Sequence, residues 1–227
     1  YNGNGGTGST ADSIHTYNVS QPLTACGFSK TGYMFNGWNT KKDGSGTKYS
    51  NKQSVKNLTS NNGATITLYA QWKAKTYTIH YNANGGTGET ADSSHTYNVS
   101  QPLTACGFSK TGYMFDGWNT KKDGSGTKYS NKQSVKNLTS NNGVTITLYV
   151  QWKAKTYTIH YNANGGTGKT ADSSHTYDVS QSLTTNGFSK TGYTFNGWNA
   201  KKDGSGTKYS NKQSVKNLTS NNGATIT

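Results

Sequence analysis

Residues 81–88 read YNANGGTG; the same eight residues return at 161–168 and stand at 1–8 as YNGNGGTG, with Gly3 in place of Ala83. The interval of 80 between these marks organises everything else. Residues 1–80 and 81–160 differ only at positions 3, 9, 14, 36, 64 and 70 and their partners, and the third copy runs to Thr227. Copies two and three are preceded by KTYTIH (75–80 and 155–160), and LYAQW (68–72) and LYVQW (148–152) close the first two copies. The natural division is therefore a unit at 1–74 lacking its first strand, a complete unit at 75–154, and a unit at 155–227 lacking its last strand, as expected of a window on a longer array. In such arrays stability is local to each unit, with added terms from neighbouring interfaces.

Within a unit the pattern is nearly all β. TYTIHY (76–81) places Tyr77, Ile79 and Tyr81 on one face, the alternation of a half-buried strand. NANGG (82–86) is a turn, HTYNVS (95–100) a second short strand, and GYMFDGW (112–118) a third. Simple alternation puts Tyr113, Phe115 and Gly117 on one face of that third strand and Met114, Asp116 and Trp118 on the other. KKDGSGTKYS (121–130) turns through Asp and Gly into a strand start, and TITLYVQW (145–152) is a strong strand whose apolar residues do not strictly alternate. SVKNLTSNN (134–142) leaves room for one short helix, so the expected class is mainly β, with α+β as the alternative.

Composition agrees with many short strands. Hydrophobic residues are 29%, low for one large core, whereas aromatics reach 12% with 16 Tyr and 5 Trp, so rings must supply the burial. Gly (28) and Asn are plentiful and Pro is scarce (2), the mix that supplies positive φ cheaply at tight turns. All 23 cationic residues are Lys, against 9 acids, for a net charge of +14. Lysine without arginine suits diffuse attraction to anionic surfaces rather than bidentate reading of phosphate or bases, which disfavours nucleic acid as the partner. No run of 18 apolar residues is present, so membrane insertion is not expected.

One stretch imitates a nucleotide site. NANGGTGKT (162–170) ends in Gly-Lys-Thr, as a phosphate loop does. Such a loop needs a glycine where Ala163 stands and a helix after it, and the following TADSSHTYDVS has no helical periodicity. Ser9 and Glu89 also occupy the position of Lys169 in the other copies, so the segment reads as a hairpin turn.

Y-T-I-x-Y-N-x-N-G-G (Tyr77–Gly86), G-Y-x-F-x-G-W-N (Gly112–Asn119) and T-L-Y-x-Q-W (Thr147–Trp152), inside one unit of about 80 residues, resemble the Listeria–Bacteroides repeat, known also from the internalin B-repeat. The resemblance covers the whole unit. It implies β-grasp-like modules in tandem, forming an extended rod on a secreted or wall-anchored bacterial surface protein, with stalk, spacer or adhesion roles and neither catalysis nor cofactor. This chain departs in its longer loop (119–133) and in one Cys in each of the first two units.

Candidate sites follow from the copies. Tyr33, Phe35, Trp38 and Trp72, with Tyr113, Phe115, Trp118 and Trp152 and with Tyr193, Phe195 and Trp198, read as structural core, the alternative being an aromatic platform for sugars or cations. Lys41, Lys42 and Lys48, repeated as Lys121, Lys122 and Lys128 and as Lys201, Lys202 and Lys208, form a cluster able to hold an anionic polymer multivalently, the alternative being a solvated face. Asp43-Gly44-Ser45-Gly46 offers one carboxylate where calcium loops want several, and the five histidines lack partners at metal-ligand spacing. Cys26 and Cys106 cannot pair within a unit and are candidates for interchain cross-links, or for small half-buried packing residues, since Asn186 replaces them in the third copy. Three functions stay open: a stalk or spacer for adhesion, a self-assembling extracellular filament, and a lysine-mediated binder of anionic glycans or wall polymers. The expected partners are neighbouring repeats, copies of the same chain, or such polymers at a bacterial cell surface.

Overall fold

A computed structural model describes all 227 residues. It contains 25 strands, most of two residues, and no helix. The middle repeat holds the fullest sheet: five strands in the order Ser93–Thr96, Thr76–Asn82, Thr145–Ala154, Tyr113–Asn119, Lys128–Tyr129. Thr76–Asn82 is called the opening strand here, Tyr113–Asn119 the tryptophan strand and Thr145–Ala154 the closing strand. Two ribbons complete the repeat, Phe108–Ser109 with Thr87–Gly88 and Gln101–Pro102 with Ser134–Val135, both antiparallel. The first repeat has a three-stranded sheet of Lys48–Tyr49, Tyr33–Asn39 and Tyr69–Ala74, and the third one of Ser173–Thr176, Thr156–Ile159 and Thr225–Ile226.

The opening strand follows its alternation: Tyr77, Ile79 and Tyr81 are buried and the residues between them are not. The NANGG turn is tight, with Asn84 and Gly85 both at positive φ (46° and 83°) and Gly86 N–H donating to Ala83 C=O at 3.0 Å, as a hairpin turn of this handedness requires. The segment carrying Lys169 folds the same way, with Asn164 and Gly165 at 49° and 84°.

Three expectations are corrected. The short helix near 134–142 is absent: Ser134–Val135 is a ribbon strand, and Asn137 at φ 56° interrupts any helical run. The strand expected at 95–100 lies earlier, at Ser93–Thr96, because the chain turns at Tyr97 and Asn98, the latter at φ 65°. Alternation also misplaces Trp118. The register with the closing strand shifts between Phe115 and Gly117, a bulge in which Gly117 adopts φ 128°. One extra residue turns the next side chain over, so Phe115 and Trp118 pack on the same side, ring centroids 5.1 Å apart.

Two compact units form: residues 1–80, 92–104 and 132–147 in one, and 81–91, 105–131 and 148–227 in the other. The first unit is built on Leu23, Trp38, Val55, Leu68 and Ala70, packed by Tyr1, Phe28, Phe35 and Trp72, and also holds buried Tyr77, Ile79 and His95. The second holds buried Tyr81, Trp118, Leu148 and Val150 and a further cluster of Tyr157, Ile159, Tyr161, Leu183 and Val215.

Candidate functional site

The lysine-rich loop is rigidly framed, and the frame hangs on one asparagine per repeat. Asn119 ends the tryptophan strand and turns its side chain under the loop, where it is 2% exposed. Its amide nitrogen donates to the carbonyls of Gly124 and Gly126 at 2.9 and 3.3 Å, and its oxygen accepts from the N–H groups of Lys121 and Gly126 at 2.9 and 3.0 Å. A carboxamide offers two donors and two lone pairs, and this one uses all four on loop backbone. Asn39 and Asn199 make the same four bonds.

From outside, Asn84 Nδ2 donates to Lys122 C=O at 3.0 Å and Gln151 Nε2 to Lys121 C=O at 3.4 Å. Asp123 Oδ1 accepts from Ser125 N–H and Oγ–H at 3.0 and 2.8 Å, which holds its carboxyl below the usual carboxylate range. The carboxylate is spent on a turn. Asp43 and Asp203 repeat it.

On this frame Lys41, Lys42, Lys48, Lys121, Lys122, Lys128, Lys201, Lys202 and Lys208 are all exposed. The copies differ in neutralisation. Lys128 Nζ meets Asp116 Oδ2 at 2.7 Å, whereas Asn36 and Asn196 stand at the same place in the other copies. The lysines are legible in the sequence; the asparagine that fixes them is the last residue of the G-W-N motif.

The aromatic residues divide by environment. Trp38 and Trp118 are fully buried; Tyr33, Phe35, Trp72, Tyr113, Phe115, Trp152 and Trp198 are half-buried; Tyr193 and Phe195 are exposed. Around Trp118 stand Tyr81 at 4.8 Å, Phe115 at 5.1 Å and Phe108 at 6.3 Å between centroids, tilted or edge-on as ring quadrupoles prefer. Trp152 Nε1–H donates to Ala83 C=O at 2.9 Å, and Trp72 to Gly3 C=O at 2.9 Å, pinning the hairpin turn to the closing strand.

Tyr33 and Tyr113 serve the junctions between consecutive repeats. Tyr33 meets Tyr97 edge-on at 5.8 Å and accepts a bond from Asn98 Nδ2 at 3.2 Å. Tyr97 lies over Gly32, where a Cβ would come within 2.1 Å of its ring and where φ is +75°, a position only glycine fills without strain. Lys75 N–H donates to Gly32 C=O, and Tyr97 N–H to Lys75 C=O, at 2.9 and 2.8 Å. Gly112, Tyr113, Lys155 and Tyr177 repeat this arrangement, Tyr113 meeting Tyr177 at 5.9 Å. Here, however, an acid replaces the asparagine. Tyr113 Oη–H donates to Asp178 Oδ2 at 2.9 Å, while Asn217 Nδ2 and Lys216 Nζ lie 3.0 and 3.3 Å from Asp178 Oδ1.

The Asn217, Tyr113 and Lys216 bonds hold Asp178 down at about 2, against 3.8 for a free carboxyl. A pKa lower in the folded state stabilises above the free value and ceases to do so as pH falls through the folded one. The second junction is therefore expected to weaken between pH 4 and pH 2 and the first not to. Hydrogen exchange at Tyr113 and Tyr177 across that range, compared with Tyr33 and Tyr97, checks this.

The Listeria-Bacteroides repeat domain matches three times, over residues 1–71, 77–149 and 157–221. The chain belongs to the Listeria–Bacteroides repeat family. It is also similar to two proteins of Evansella cellulosilytica. One, named as a Gly-rich membrane protein, is 37% identical over 144 residues, covering 61% of this chain and 16% of that protein. The other, named as a membrane protein, is 29% identical over 146 residues, covering 63% of this chain and 20% of that protein. The chain thus spans a fifth or less of the relatives it matches. No solved structure matches it.

The departures from the repeat pattern can be placed. Cys26 and Cys106 are half-buried, and each thiol points at a nearby carbonyl, Phe28 at 3.6 Å and Phe108 at 3.7 Å. Burial pushes both thiols up, disfavouring the reactive thiolate. In the third repeat Asn186 Nδ2 donates to Phe188 C=O at 3.0 Å, which keeps the same bond without sulfur.

Four of the five histidines fall into two pairs. His80 and His160 sit at the surface with Nδ1 2.9 Å from Asp92 and Asp172. His95 and His175 are 1% exposed, stacked on Tyr77 and Tyr157, with Nε2 bonded to Ser93 at 3.0 Å and Ser173 at 2.9 Å. Nδ1 of His95 and His175 has no hydrogen-bond partner.

Burial lowers the pKa of both rings below 6.5. The unfolded chain binds these protons first, so stability is expected to fall as pH drops below about 6.5. Unfolding midpoints between pH 7.5 and 5 check this, and the slope is expected to shrink in the His95→Asn, His175→Asn double variant.

Proposed function

We propose that this chain is a section of a stalk or spacer in a protein displayed outside a bacterial cell, in which the number of repeats sets how far an adhesive part reaches. The junction carries the reading: glycine, tyrosine and a following tyrosine are arranged alike at Gly32, Tyr33 and Tyr97 and again at Gly112, Tyr113 and Tyr177. A joint built the same way each time lets copies be added without changing the chemistry at either end. Family membership and relatives named as membrane proteins support the setting. An antibody against the repeat, applied to intact cells of the source organism, is expected to label them, and protease shaving is expected to remove the label. A signal that appears only after lysis would sink the extracellular reading.

The asparagine-framed loops favour a second reading, in which Lys41, Lys42, Lys121, Lys122, Lys201 and Lys202 hold an anionic wall polymer. Fixed loops spend less entropy on ordering when a polyanion binds. Retention on a polyphosphate matrix is expected to fall steeply and log-linearly with salt. Retention unchanged by Lys→Gln at all six positions would reject this reading.

A further inference from the structure

Each junction between consecutive repeats brings two phenols together. Tyr33 meets Tyr97 with ring centroids 5.8 Å apart, and Tyr113 meets Tyr177 at 5.9 Å, both edge-on. All four residues are half-buried, so the rings are packed while the hydroxyls reach the surface. The second ring of each pair is held in place. Tyr97 and Tyr177 lie against Gly32 and Gly112, where a Cβ would come within 2.1 Å, and their N–H groups donate to Lys75 and Lys155 C=O.

The two pairs share this ring geometry and differ at the phenolic oxygen. Tyr33 Oη accepts from Asn98 Nδ2 at 3.2 Å, whereas Tyr113 Oη–H donates to Asp178 Oδ2 at 2.9 Å. This difference decides which phenol gives up an electron more readily. A phenol that loses one electron becomes a strong acid, and a hydrogen-bonded carboxylate takes its proton in the same step. An amide N–H has no lone pair to offer and draws electron density from the oxygen instead. Asp178 is ionised at neutral pH, held at about 2 by Asn217, Tyr113 and Lys216. Its bond raises the Tyr113 phenol above the usual tyrosine range, so the phenol keeps its proton until the electron leaves. Lys110 Nζ, 4.4 Å from the Tyr113 ring, opposes oxidation there. Lys30 lies 4.9 Å from the Tyr33 ring, so the lysines do not separate the two pairs.

We propose that Tyr113 and Tyr177 are a modification site, joined as dityrosine by a haem peroxidase with hydrogen peroxide, Asp178 accepting the Tyr113 proton. Each ring loses one electron and one proton to give a phenoxyl radical. Hydrogen peroxide takes up both electrons and both protons and leaves as two waters. The two radicals form one bond between ortho carbons, and each ortho hydrogen then moves to its phenolic oxygen, restoring two phenols. The new bond ties the middle repeat covalently to the third. The site is independent of the stalk reading, since it rests on two rings and one carboxylate.

The test incubates the dilute 227-residue chain with a haem peroxidase and hydrogen peroxide, with peroxide alone as the blank. Dityrosine fluorescence is expected in the monomer, and proteolytic mapping is expected to recover linked Tyr113–Tyr177 peptides in excess of Tyr33–Tyr97. The peptides are told apart by Asp116 in place of Asn36 and Ser182 in place of Pro102. Tyr177→Phe keeps the ring contact, removes the phenol and is expected to abolish the Tyr113–Tyr177 product. Asp178→Asn gives the second junction the side chain that Asn98 supplies at the first, so the junction is expected to form. Its initial Tyr113–Tyr177 yield is expected to drop about ten-fold, the worth of one hydrogen bond to a charged group. Asn98→Asp is expected to raise the Tyr33–Tyr97 yield. Absence of the Tyr113–Tyr177 product, linkage between chains only, or yields unmoved by both exchanges would overturn the proposal.

Discussion

Trp118→Ala is expected to destabilise the middle repeat by about 3–5 kcal/mol, the range for truncating a fully buried large aromatic. Trp118 is 0% exposed and touches Tyr81, Phe108 and Phe115, so three rings lose their common neighbour. Aliphatic residues that could collapse into the space are few in a chain with 29% hydrophobic residues. The indole N–H of Trp118 has no hydrogen-bond partner. Trp118→Phe therefore removes ring volume without orphaning an acceptor, and its cost is expected to be less than half that of alanine. Hydrogen exchange of the closing strand, Thr145–Ala154, reads both effects locally. An alanine variant with unchanged protection there would mean that the ring cluster is not what holds the sheet.

Asn119→Ala is expected to cost about 3 kcal/mol and to free the loop 120–127. Four backbone groups lose their partner at once, and a buried group left unsatisfied costs about 1–3 kcal/mol. The sum stays below four such penalties because Gly124 and Gly126 are only half-buried and water reaches them once the loop loosens. Asn119→Asp separates the two halves of the interaction. A carboxylate still accepts from Lys121 and Gly126 N–H but faces the Gly124 and Gly126 carbonyls with no donor. Its loop amides at 121 and 126 are expected to stay protected while the variant loses stability. Loss of protection at Lys121 and Gly126 in Asn119→Asp would show that the donor half alone fixes the loop. The same variants bear on the polyanion reading, since a freed loop carries the same lysines without their frame.

Several features were legible because they depend on near neighbours in the chain. The period of 80, the opening strand through Tyr77, Ile79 and Tyr81, and the Asn-Gly turns all rest on local alternation or local φ preference. The face of Trp118 was not legible. It depends on a bulge, and a bulge shows only when the opposing strand supplies a register to break. The use of Asn119 was hidden for a related reason: its four partners are backbone groups, which every sequence contains. The helix expected at 134–142 failed because Ser134–Val135 finds a ribbon partner in Gln101–Pro102, more than thirty residues away.

The sequence by itself determined the repeat, the β character, the ring-based core and the exposed lysine loops, because each is a property of composition and short-range pattern. The tertiary structure alone decided which stretches become strands. Gln101–Pro102 and Ser134–Val135 are strands because each finds the other, more than thirty residues away along the chain. The physical reason is that a strand's backbone donors and acceptors point sideways, so unlike a helix it cannot satisfy them within its own segment. Propensity makes such a segment ready, and a neighbouring strand makes it a strand.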